Sequence, residues 1–232
     1  MISMAINVNG YTLPERIKAK MVLTLFKTHQ KQKELGFTFC SKPDNIIIAK
    51  GDFKGSSGNV VIDSRLCEKD EKFLGGYHTH YGRDSHASAE DLHYCGVLKT
   101  ICTGGTNDNK IRCNTWKGEL QSVGEYNKTV YDIHKGATKS KNPKYQTNFD
   151  CIRTMNPLFS DEKYIKEKID TELDEKRLDL LALRERGAPE YVIIEKENEI
   201  VNGTEKRNRS SSELIEKIKN ASKKYYNEIE IR

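Results

Sequence analysis

The chain has 232 residues, 36% of them apolar and 31% charged, with a net charge of +5. This length allows one well-buried core with a smaller appendage, or one elaborated domain. So mild a basic excess does not argue for nucleic acid, the first twenty residues lack the pattern of a secretory signal, and the apolar run at 21–26 is far too short to span a bilayer.

In chain order, Thr12 and Glu15 have the spacing of a capping box, with Pro14 in the first turn. Ile17, Met21, Val22, Leu25 and Phe26 then recur at helical spacing, which predicts an amphipathic helix. Strands are expected at 35–40 and 45–51, a Gly/Ser-marked loop at 51–59, and further strands at 60–64 and 72–80. A helix capped by Ser88 is expected over 88–100, followed by two strands, 100–105 and 110–116, joined by a hairpin-type turn. Beyond 125 the sequence turns polar. Residues 135–150 read as loop, 160–186 as a long charged helix started by Ser160 and stopped by Gly187, 191–196 as a short strand and 210–228 as a last helix. The expected class is therefore α+β (α/β/α), a mixed sheet flanked by helices over residues 1–125, with a polar linker and helical extension over 126–232. The six cysteines include no Cys-x-x-Cys pair and read as buried free thiols of a cytoplasmic protein.

The chemistry concentrates in residues 73–92. His78 and His80 are two apart on an expected strand, so both imidazoles leave one face and can reach one metal ion. Asp91 lies one turn into the next helix, where its carboxylate can fold back to them. Two histidines and a carboxylate leave a fourth position open, as a catalytic zinc site requires. Ser88, three residues before Asp91, shares its helix face. Glu34, where the first helix runs into a strand, is the candidate proton acceptor, and Glu71 is its competitor.

His78-Thr-His80, seven residues, Ser88, two residues, Asp91 resembles the signature of the JAMM (JAB/MPN) zinc metallopeptidases. The likeness extends over roughly residues 12–118, through a helix followed by a Glu-x-Gly-aromatic strand, "FLGGYHTH", and "TICTGGTNDNKIRC". It implies a cytidine-deaminase-like JAB/MPN core and hydrolysis of peptide or isopeptide bonds, with ubiquitin-like proteins as substrates. By the same likeness, His78, His80 and Asp91 hold Zn²⁺. Glu34 takes a proton from the attacking water and passes it to the leaving amine, and Ser88 stabilises the tetrahedral intermediate. Two positions depart from the pattern. Tyr81 stands where many members have proline, and Glu34 is two rather than three residues before its glycine, with Lys33 in the other register.

His86 reads as a supporting or surface residue, His93 as core or surface, and Cys95, Cys102, Tyr77 and Trp116 as packing residues. A PHP-type phosphoesterase needs more downstream histidines than the single His134 after His93, and Asp84 is misplaced for a metallo-β-lactamase-like motif. The rival class is a scaffold or interaction module that binds a protein partner, or a second copy, through the C-terminal helices.

Overall fold

A computed structural model describes residues 6–8, 10–55 and 62–232. Strands β1 (Ile6–Val8) and β2 (Tyr11–Leu13) form a small hairpin that leads into helix α1 (Glu15–Lys31). The expected capping box is not formed, because Thr12 is paired in β2 and the extended Pro14 is itself the N-cap. Ile17, Met21 and Leu25 of α1 are buried as expected, whereas Phe26 is exposed.

The main sheet is mixed, as expected. It contains β3 (Leu35–Ser41), β4 (Ile47–Lys54), β5 (Lys72–His80), β6 (Thr100–Gly105), β7 (Ile111–Trp116) and β8 (Tyr226–Glu230), in the spatial order β4-β3-β5-β6-β7-β8. Only β5 and β6 run parallel. Strand β4 continues through residues the sequence read as loop. The strand expected at 60–64 lies partly outside the described residues. Its described part is not strand, since Asp63 caps a 3-10 turn at Ser64–Leu66.

On one face of the sheet, α1 packs with Phe37, Phe39, Leu74, Tyr77 and Ile111. On the other lie α2 (Ala89–Leu92), α3 (Val123–His134), α4 (Gln146–Tyr164) and the end of α6 (Glu190–Tyr225). The helix expected over 88–100 is therefore a single turn. The expected linker is largely helical, because Phe149, Ile152 and Met155 form a fully buried stripe on α4, each worth roughly 1.5–3 kcal/mol. Only about residues 135–142 are irregular as expected. Ser160 caps nothing. It lies inside α4, and its hydroxyl donates to the Asn156 carbonyl. After a π turn at Ile165–Ile169, α5 (Asp170–Glu185) ends at Gly187, whose φ of +67° ends the helix as expected. The expected strand at 191–196 is the start of α6, and α6 ends in β8, which pairs with β7. Tyr226 of β8 is buried against Trp116.

The six cysteines are not free thiols. Cys40–Cys67, Cys95–Cys151 and Cys102–Cys113 are disulfides. Their sequence separations of 27, 56 and 11 carry no motif, and the fold makes the pairs. Cys102 and Cys113, for example, are register partners across β6 and β7. No helix among the described residues is long and apolar enough to cross a membrane.

Candidate metal centre

Alternation along β5 creates the site. Tyr77 joins the core on the α1 side, and the Thr79 hydroxyl lies 2.6 Å from that of Thr28 on α1. His78 and His80 therefore point to the opposite face, toward α2. A register shift opposite Gly75, whose φ is +129°, sets this phase. A Cβ at Gly75 would lie 1.9 Å from the Thr100 carbonyl oxygen, so only glycine fits.

The two histidines and Asp91 converge. His78 Nε2 is 3.0 Å from His80 Nε2 and 3.1 Å from Asp91 Oδ1, and His80 Nε2 is 3.5 Å from Asp91 Oδ2. Ligands on a tetrahedral zinc lie about 3.3 Å apart, so this spacing fits a shared ion. His80 Nδ1 donates to the Asp84 carbonyl at 3.2 Å, which leaves the Nε2 lone pair facing its partners. His78, His80 and Asp91 thus form a group that can hold a metal ion.

Ser88 sets the carboxylate. Its hydroxyl donates to Asp91 Oδ2 (2.8 Å) and accepts the Asp91 N–H (3.1 Å), while its own N–H donates to Asp91 Oδ2 (2.7 Å). This capping box holds Asp91 at the start of α2.

Glu34 is buried and faces the same group. Gln32, in the left-handed conformation, ends α1, and Thr79 Oγ1 accepts the Leu35 N–H at 2.9 Å. Gly36 pairs with His78, so Glu34, two residues earlier, lies on the histidine face of the sheet. Glu71 is elsewhere, paired with Lys50 at 3.0 Å. Cys40, Cys67 and Glu71 also cluster, but both sulfurs are spent in a disulfide.

Burial raises the Glu34 pKa above its ordinary value, against the lowering pull of His80 and His78. Burial pushes His78 down, but the Asp91 carboxylate outweighs it and leaves the His78 pKa raised. Asp91 pays for burial too, yet the two imidazoles hold it well below the ordinary carboxylate range.

A pH dependence follows. Metal ligation needs neutral His78, whose pKa is raised by the Asp91 carboxylate, so protons compete from above its ordinary value downward, whereas Asp91 stays ionised. Below the His78 pKa, metal affinity is expected to fall about tenfold per pH unit. Metal titrations between about pH 5 and about pH 8 check this, and a flat profile would remove histidine from the coordination set.

The group lines a cleft of about 810 Å³. The apolar side chains of Ile62, Phe73, Val97, Leu98 and Ile101 line it, together with Phe159 and Glu162 of α4. Arg83, Tyr94 and Glu162 were not singled out in the sequence. Arg83 carries no motif, and Glu162 sits in a charged run read as a solvated helix. His86 lies outside the metal group, 3.9 Å from Glu228. His93 stacks on Phe159, and Tyr81 is exposed. Cys95 and Cys102 are buried but each is half of a disulfide rather than a packing thiol, whereas Tyr77 and Trp116 are buried packing residues.

No protein-family model matches the chain, and no curated protein matches it.

Proposed function

We propose that the chain is a JAMM-type zinc metallopeptidase, with a JAB/MPN core, that hydrolyses peptide or isopeptide bonds in a ubiquitin-like protein. The observation that carries this reading is the meeting of His78, His80 and Asp91 on one cleft with a buried carboxylate, Glu34, that sits beside them without joining their contacts. Two imidazoles and a carboxylate are a donor set that suits catalytic zinc. When bound, it activates water and polarises a carbonyl.

The protein's own residues supply the remainder. His78, His80 and Asp91 hold the ion, with Ser88 and the Asp84 carbonyl fixing two of the three. Glu34 takes the proton of the attacking water and delivers it to the leaving amine. Its burial shifts its pKa in the direction this exchange needs. Ser88 is the candidate donor to the oxyanion, at the cost of its bond to Asp91. The apolar side chains lining the cleft suit an extended peptide tail.

Elemental analysis of the wild type beside His80→Ala is the first test. About one zinc per wild-type chain and none in the variant is expected. Cleavage of linear and isopeptide-linked ubiquitin-like fusions then tests the reaction. A wild type that takes up no zinc after reloading would end this reading.

A second reading, an interaction module, has its own observation. Between Leu173 and Leu214 no side chain is buried. Leu178, Leu181, Tyr191, Ile194 and Val201 are exposed along the α5–α6 pair, which suits a protein partner or a second copy. Three disulfides favour an oxidising compartment over the cytoplasmic one expected from the sequence. Neither membrane nor nucleic acid is invoked as a partner.

A further inference from the structure

Helix α2, which carries Asp91, has four residues. One turn does not hold itself, because helix nucleation fixes several residues for a single hydrogen bond. Beyond the Ser88 capping box, what holds it comes from the other half of the chain. Tyr226 Oη donates to the Leu92 carbonyl at 2.8 Å, and Phe159 stacks on the His93 ring with centroids 4.6 Å apart. Gln121 Nε2 donates to the Cys95 carbonyl at 3.1 Å, and Cys95 is bonded to Cys151 of α4. Nearest to the metal group is Glu162 of α4. Its Oε2 accepts the Glu90 N–H at 3.2 Å, one residue before Asp91. Glu162 also lines the same cleft as Glu34, His78, His80 and Asp91.

We propose that Glu162 is a positioning residue for the metal centre, fixing the α2 backbone from α4 so that the Asp91 carboxylate stays on the two histidines. This rests on the metal-centre reading above. The hydrogen bond of Glu162 goes to the Glu90 backbone rather than to the trio, so its positioning acts through Glu90. The consequence is that α4 is part of the metal centre. Because coupling is reciprocal, ion binding tightens the docking of α4 on α2 by as much as that docking tightens ion binding.

The test is the Zn²⁺ dissociation constant of the full chain, measured by competition with a chromophoric chelator. The proteins are the wild type, Glu162→Ala and Glu162→Gln. Glutamine keeps an oxygen acceptor for the Glu90 N–H and drops the charge, whereas alanine drops both. The alanine variant is expected to bind Zn²⁺ about tenfold more weakly, the lower end of what losing such a supporting partner costs. The glutamine variant is expected to stay within about threefold of wild type, a rescue that a general loss of stability or of charge would not produce. Should the alanine variant not fold, Glu162→Met keeps the side chain's length without an oxygen acceptor and is expected to weaken binding in the same way. Equal weakening by alanine and glutamine would make charge the cause and overturn the positioning role. So would wild-type affinity in every variant. A wild type that binds no Zn²⁺ would instead overturn the metal-centre reading itself.

Discussion

Glu34→Gln is expected to leave the metal bound and to lower hydrolysis by about 10²–10⁴-fold. Glutamine has nearly the same volume and keeps an acceptor oxygen, so it can occupy the buried place at the head of β3 without disturbing Leu35 or Gly36. What it lacks is basicity. It can hydrogen-bond a water but cannot take its proton or return one to a leaving amine. Glu34 lies outside the three-residue metal group, so zinc content is expected to match wild type. Cleavage rates beside elemental analysis of the same preparation make the check. Loss of zinc together with activity would make Glu34 a ligand, and unchanged cleavage would remove it as the base.

Joint replacement of Cys95 and Cys151 by alanine is expected to destabilise the protein by about 4 kcal/mol, the loop-entropy value for a bridge closing 56 residues. For a chain of this size that is a fall in melting temperature of roughly 10 °C. The effect on the metal centre should exceed that on the sheet. The bridge joins the segment just after α2 to α4, so its loss loosens the turn that carries Asp91 while the pairing of β3, β5 and β6 is untouched. Thermal unfolding of the variant, and of wild type with and without a reductant, reads the stability. Wild type that melts at the same temperature in both conditions would mean that the thiols are free, as the sequence suggested. The Cys102–Cys113 bridge closes only 11 residues between strands already in register, so its loss is expected to cost less.

Much of the site was legible without a fold. His78 and His80 are placed by the two-residue period of a strand, and Ser88 and Asp91 by the three-residue reach of a helix start. Both are local rules, and both hold in the structure. The helix α1 and the strands around the histidines were readable for the same reason: their apolar positions repeat at the period of the element. The sequence misled where long-range packing overrode composition. Helix α4 is polar by count, yet Phe149, Ile152 and Met155 bury one stripe of it. Residues 191–196, rich in β-branched side chains, became helix because they continue α6 against α5. Strand β8 exists because β7 offers it a free edge and Tyr226 fits beside Trp116.

What the sequence by itself determined is the donor set, His78, His80 and Asp91, and the faces on which those side chains stand. The tertiary structure alone decided that six cysteines pair and that α4 lines the cleft, and it set Glu34, already the sequence's candidate, beside that set while Glu71 pairs with Lys50. Those outcomes depend on which distant segments share the core. That is settled by burial and strand pairing summed over the whole chain, to which no local spacing has access.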